Sequence, residues 1–157
     1  MNLLRQSIHV LWGNFVQKNP KYSNTPIPKH FYFCDNEEDA NICAELVVGK
    51  IKQATAPSVW WYEYYNEPMP KVGDLYIVTD WYGTAKAIIE ITEITQVRFR
   101  EVSAEFARAE GEGDKSLAYW QKTHKAYYKR EMEAVGADFN ENIMISCERF
   151  KTLYVSI

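Results

Sequence analysis

The stretch Leu75-Tyr76-Ile77-Val78-Thr79-Asp80, Trp81-Tyr82-Gly83-Thr84, Ala85-Lys86-Ala87-Ile88-Ile89-Glu90-Ile91-Thr92-Glu93-Ile94-Thr95 reads as two strands joined by a tight connection. Both flanks are rich in β-branched residues, and the four residues between them carry turn chemistry. Val72-Gly73-Asp74 turns the chain into the first strand, and Glu67-Pro68-Met69-Pro70 breaks whatever precedes it. Upstream of that break, the aromatic run Val59–Tyr65 fits a strand or one helical turn. Downstream, Ser103 caps a short helix over Ala104–Ala109, and Glu110-Gly111-Glu112-Gly113-Asp114 interrupts it. A longer helix over Ser116–Val135 ends at Gly136, and a closing strand runs over Met144–Tyr154.

The N-terminal side is helical. Leu4, Ile8, Leu11 and Phe15 recur at helical spacing, which predicts a helix over residues 2–18 ended by Asn19-Pro20. Residues 19–30 read as a proline-bearing loop. A second helix opens near Asp35 or Asn36, with Glu37, Glu38 and Asp39 at the positive end of its dipole and Gly49 at its end. Its buried face is Ala40, Cys43, Leu46 and Val47. The order of elements gives an α+β fold with a small, largely antiparallel sheet or barrel.

Composition bounds the function. One core suffices for 157 residues, and 46% hydrophobic content excludes a disordered chain. Eighteen basic against 21 acidic residues give a net charge of −3, which excludes coating duplex nucleic acid by charge alone. Three cysteines without a CxxC pair, and an N-terminus without a basic and apolar leader, lead to the expectation of a cytoplasmic protein with reduced thiols. No apolar run is long enough to span a bilayer, so no membrane partner is expected. His30, Cys34 and Cys43 fit no zinc spacing, and no dinucleotide, Walker, HExxH or GxSxG motif is present. No metal and no cofactor are therefore expected.

Three features carry chemistry: Lys50-Ile51-Lys52-Gln53-Ala54-Thr55, the acidic run Glu110–Asp114, and the turn Asp80-Trp81-Tyr82-Gly83. Each has a plain structural explanation. Lys50 and Lys52 complement a helix dipole, Glu110, Glu112 and Asp114 form a solvated helix start, and Trp60, Trp61 and Trp81 fill core.

Their ordered combination resembles the ASCH family of the PUA-like superfamily, in its longer bacterial form. The likeness runs from about Phe33 to Tyr154. It rests on Ala44-Glu45-Leu46-Val47-Val48, Lys52-Gln53-Ala54-Thr55-Ala56, Pro70-Lys71-Val72-Gly73-Asp74 and Ile77-Val78-Thr79-Asp80-Trp81. It continues through Ala104–Asp114, Leu117-Ala118-Tyr119-Trp120, His124 and Cys147-Glu148-Arg149-Phe150. The resemblance implies a PUA-like small, mostly antiparallel β-barrel flanked by helices, made of residues 33–157, with residues 1–32 as an N-terminal helix and loop packed on it. It also implies a cleft for a modified nucleoside or single-stranded RNA.

Small bacterial relatives hydrolyse the amide of cytidine acylated on its exocyclic nitrogen, using a Lys, a Thr and a Glu. By motif these fall on Lys52, Thr55 and Glu112. The family glycine stands two residues before the Lys; here Lys50 takes that place and Gly49 stands three before. In the expected mechanism Thr55 is the nucleophile, Lys52 its base, and Glu112 protonates the leaving amine or positions the base. Lys52 and Thr55 are three apart, so a helical turn or tight bend lets them meet. Trp60 or Trp81 stacks on the pyrimidine, and Lys50 and Arg149 contact phosphate or sugar. A non-catalytic RNA-binding module and a single-strand ribonuclease are the alternatives, and a monomer or homodimer satisfies either.

Overall fold

The computed structural model describes residues 2–156; residues 1 and 157, the outer bounds of the two expected domains, lie outside the described residues. Five helices are present among them: α1 (Leu3–Lys18), α2 (Glu37–Val48), α3 (Val59–Tyr64), α4 (Ala104–Glu110) and α5 (Leu117–Glu133). The strands are β1 (His30–Phe31), β2 (Ala54–Thr55), β3 (Leu75–Thr79), β4 (Ala85–Arg98) and β5 (Met144–Val155). They form one sheet in the order β1-β3-β4-β5-β2. The fold is α+β as expected. The sheet is mixed, with β1 parallel to β3, and it stays open, so the PUA-like barrel is a loose one.

The chain divides into two compact units, and β4 and β5 contribute to both. Of the described residues, the first unit holds 2–50, 73–90 and 151–156. Here α1 lays Ile8, Leu11, Trp12 and Phe15 against Ile77, Ala85 and Ile88, with Leu153 and Tyr154 at the margin. The β3–β4 hairpin runs in register from Leu75 opposite Glu90 to Val78 opposite Ala87, with an irregularity at Val78/Thr79. Asp80 closes its turn by accepting the backbone N–H groups of Tyr82 at 3.0 Å and Thr84 at 2.9 Å. The Asn36 side chain caps α2 by accepting from the Asp39 N–H at 2.9 Å. Gly49 caps the other end in a right-handed conformation, and Lys50 takes the left-handed one at φ 60°. That is the position where the resemblance leads one to expect glycine, and a Cβ there works against the backbone.

The second unit holds residues 51–72 and 91–150. Its core joins Ala54, Ala56, Ile145 and Cys147 from β2, β5 and the chain beside them to Phe99, Phe106, Trp120 and Tyr128. The aromatic run resolves as α3, because the Ser58 hydroxyl accepts from the Trp61 N–H at 3.0 Å and starts a helix. Tyr128 of α5 is fully buried and donates its hydroxyl to the Ala56 carbonyl at 2.5 Å. This bond pins α5 over the segment that carries Lys52 and Thr55.

Among the described residues no helix is long and apolar enough to cross a membrane, and no disulfide joins Cys34, Cys43 and Cys147.

Candidate active site

The site belongs to the second unit and begins with a helix end. The Ser103 hydroxyl caps α4 by accepting from the Phe106 N–H at 3.1 Å, and Gly111 stops the helix in a left-handed conformation at φ 72°. A Cβ on Gly111 would lie 2.5 Å from the Ile51 carbonyl oxygen and 3.1 Å from the Lys52 Cα. Glycine is therefore needed twice, once for backbone conformation and once for the close passage of residues 51–52. The Gln53 N–H donates to the Ala109 carbonyl at 2.8 Å and fixes that passage.

The reversal at Gly111 turns two carboxylates toward one lysine. Lys52 Nζ lies 2.7 Å from Glu110 Oε2 and 3.1 Å from Glu112 Oε2. The Lys52 and Glu110 side chains are each 2% exposed, while Glu112 is 17% exposed and gives the group its opening. Glu110 Oε1 accepts the Trp120 indole N–H at 3.1 Å and faces His124 Nε2 at 3.2 Å. The His124 ring stacks on Trp120 at 4.2 Å, one turn along α5, and its Nδ1 faces the Trp120 carbonyl at 3.0 Å. Both ring nitrogens thus meet oxygens, a setting that suits an imidazolium donating from each.

The electrostatics separate the two carboxyls. Burial alone would raise Glu110, but the charge of Lys52, then the charge and hydrogen bond of His124, hold it well below the usual carboxylate range. Burial raises Glu112 against the pull of Lys52, and the charge and hydrogen bond of Glu110 add to the rise. His124 is raised overall: burial opposes its charge, and Glu110 outweighs burial. One carboxyl is thus lowered and its partly open neighbour raised, the separation of paired carboxyls that acid–base chemistry uses. Ligand atoms of Glu110, Glu112 and His124 lie within 4.8 Å of one another, the spread of a cation site, and the Lys52 ammonium is already hydrogen-bonded to both carboxylates.

The structure brings Lys52 and Glu112 together. It does not hydrogen-bond Thr55 to either. Residues 52–58 are extended rather than helical: Lys52, Ala54, Ala56 and Ser58 are buried while Thr55 and Pro57 are partly open. Thr55 pairs across the ladder with Glu148 of β5. The expected helical turn between Lys52 and Thr55 is therefore corrected to an extended segment, of which Ala54–Thr55 form β2. Trp60 lies on α3, stacked on Tyr64 at 4.9 Å. Arg149 is 3.4 Å from Glu105 and 4.0 Å from Glu93, so two carboxylates compete with any phosphate there. Lys50 and Trp81 belong to the first unit, where Trp81 packs on Tyr32 at 4.8 Å.

Sequence reasoning missed Glu110, His124 and Glu148 as site residues. Glu110 ends a helix instead of opening one and is buried, so the solvated-start explanation fails for it. The available signal was Trp120 and His124, four apart on one face of α5. Glu148 is 3% exposed, and its Oε2 accepts the Ser146 hydroxyl at 2.7 Å and the Tyr62 hydroxyl at 2.9 Å. Burial pushes its carboxyl up to about 7, against the two hydroxyls, which lower it.

A group raised on folding stabilises below its unfolded value and loses that contribution as pH rises through the folded one. As pH climbs from about 4.5 to 7, the buried Glu148 therefore comes to cost the fold on the order of 3 kcal/mol. Glu148→Gln removes this slope. Urea denaturation at pH 5 and pH 8 is expected to find the variant more stable than wild type at pH 8, with the advantage gone at pH 5.

With this geometry in place, comparison with known proteins gives a consistent result. The family model described as "ASCH domain" matches residues 29–154. A crystal structure of an ASCH domain from Lactobacillus crispatus JV V101 is similar at TM-score 0.88 and 36% identity, covering 95% of each chain. A protein from Enterococcus faecalis V583, described under the family model DUF984, is similar at TM-score 0.87 and 29% identity, covering 96% of this chain and 90% of that one. A mutant form of the ASCH protein from Zymomonas mobilis shares the fold at TM-score 0.51 and 8% identity, over 81% of this chain and 68% of that one. No curated protein matches the sequence.

Proposed function

The chain belongs to the ASCH domain family, and from that membership we propose that it is a hydrolase removing an acyl group from the exocyclic nitrogen of acylated cytidine. The observation that carries this reading is the 3.1 Å contact between Lys52 and a partly open Glu112 whose carboxyl is raised, first by burial and then, against the pull of Lys52, by Glu110. Breaking an amide needs a proton delivered to nitrogen as the C–N bond opens, and a raised carboxyl at the mouth of a dry charged group suits that task. Lys52 orients Glu112 and offers positive charge to the oxyanion that forms on the acyl carbon. Glu110 and His124 hold Lys52 in place. Thr55 supplies the nucleophilic hydroxyl.

The test is a steady-state comparison on acetylated cytidine. Glu112→Gln is expected to lower kcat by about 10²-fold or more with KM little changed, the pattern of a group acting in the transition state. Thr55→Val is expected to abolish turnover. Equal kcat in both variants and wild type would remove the proposal. The RNA-binding alternative draws on the end of α3, where Tyr64 and the capping Tyr65 are 52% and 47% exposed. Affinity for a short single-stranded RNA that falls with salt, without product formation, would favour it.

A further inference from the structure

Thr55 and Glu148 are directly opposite in the antiparallel ladder of β2 and β5. Opposed residues put their side chains on the same face of a sheet, with Cβ atoms about 4.5–5.5 Å apart. The Thr55 hydroxyl is thus within rotamer reach of the Glu148 carboxylate. That carboxylate is held from two sides: the Ser146 hydroxyl at 2.7 Å from its own strand and the Tyr62 hydroxyl at 2.9 Å from α3. Both donate to Oε2. Among the described residues Oε1 takes no hydrogen bond, yet no buried side-chain oxygen is left without a partner. Oε1 is therefore the oxygen that something approaching this face can meet. A hydroxyl, a carboxylate beside it and two further groups orienting that carboxylate form the arrangement by which a weak nucleophile is activated.

We infer that Glu148, through Oε1, is the base that takes the proton from the Thr55 hydroxyl, in place of the Lys52 that the sequence suggested; this assignment rests on the hydrolase reading above. The Thr55 oxygen bonds to the acyl carbon and its proton passes to Glu148. The C–N bond breaks, the proton of Glu112 goes to the nitrogen, and cytidine leaves. The ionised Glu112 then takes a proton from water, whose oxygen attacks the ester, and Glu148 returns its proton to the Thr55 oxygen. The acid is released and both carboxyls recover their starting states. A carboxyl pushed up to about 7 by burial is matched to this task near neutral pH. The titratable groups around it are Tyr62 from α3 and, on β5, Cys147 and Arg149. The Cys147 thiol is pushed up to about 12, first by burial and then by Glu110, so it stays neutral. Arg149 is paired with Glu105 and Glu93.

The test uses the full chain, as wild type and as Glu148→Gln, with folding followed by circular dichroism. Two readouts are taken from pH 5.5 to 9: hydrolysis of acetylated cytidine, and acetylation of Thr55 by p-nitrophenyl acetate, located by mass spectrometry of the Thr55 peptide. In wild type both rates are expected to rise through about pH 7, and Glu148→Gln is expected to lower both by about 10²-fold or more and erase the rise. Hydrolysis by Glu148→Gln at the wild-type rate, with the same pH limb, would overturn the inference while leaving the hydrolase reading intact. Thr55 acetylation that depends on Glu148, without cytidine release, would keep the pair and remove the hydrolase. Wild type inert in both readouts would remove both.

Discussion

Replacing Lys52 by methionine is expected to cost about 3–5 kcal/mol of folding stability at pH 7 and to abolish turnover. The physical reason is the company Lys52 keeps. It faces two carboxylates, one of them 2% exposed, and losing it leaves His124, 3.2 Å from Glu110, as the charge set against both carboxyls. Breaking a buried pair from one side leaves the other charge stranded, which costs far more than the pair itself contributes. The pH dependence has a definite sign. In wild type the ionised Glu110 stabilises the fold above the ordinary carboxylate range, and that contribution is lost as pH falls through its lowered value. Without Lys52 both carboxyls are raised, so the variant recovers relative to wild type in acid. The double variant Lys52→Met/Glu110→Gln is expected to regain most of the lost stability but none of the activity. Chemical denaturation of the three proteins checks the account, and a single variant as stable as wild type at pH 7 contradicts it.

Gly111→Ala is the second large effect. A left-handed backbone costs a non-glycine residue about 1–2 kcal/mol, and forcing a methyl group against fixed backbone adds about 1–3 kcal/mol. The crowding partner here is the Ile51 carbonyl, 2.5 Å from the new carbon, and it is backbone that cannot swing aside. Gly136 supplies the control. It is left-handed too, at φ 79°, but a Cβ there meets nothing within 4 Å. Gly136→Ala should therefore show only the backbone cost and keep its activity. The excess loss in Gly111→Ala, read from denaturation midpoints, measures how tightly α4 closes over residues 51–52. Equal destabilisation by the two substitutions would refute that closeness.

Much of the fold was legible because its long elements repeat a signal. The β3–β4 hairpin carries β-branched flanks around a turn with Asp80, and α4 and α5 carry serine caps at Ser103 and Ser116. Two strands were not legible. β1 and β2 have two residues each, too few for any period, and they form only because neighbouring strands offer them an edge. The open sheet follows from the same shortness.

In the candidate site, Lys52 and Glu112, which lie 3.1 Å apart, are singled out in the sequence by their place in an ordered motif. Glu110 was passed over because an acidic residue beside glycines looks solvated in one dimension. Its burial depends on Trp120 and His124, which arrive from another helix. Glu148 was passed over for Arg149, since the final strand buries both faces from Ile145 to Glu148 and alternation no longer marks which side chain matters.

The most direct measurement is to incubate the purified chain with acetylated cytidine and quantify cytidine and acetate by chromatography, beside Lys52→Ala. Equal amounts of both products from wild type, and none from the variant, are what the hydrolase account requires. Acetylated cytidine recovered intact from wild type would contradict it.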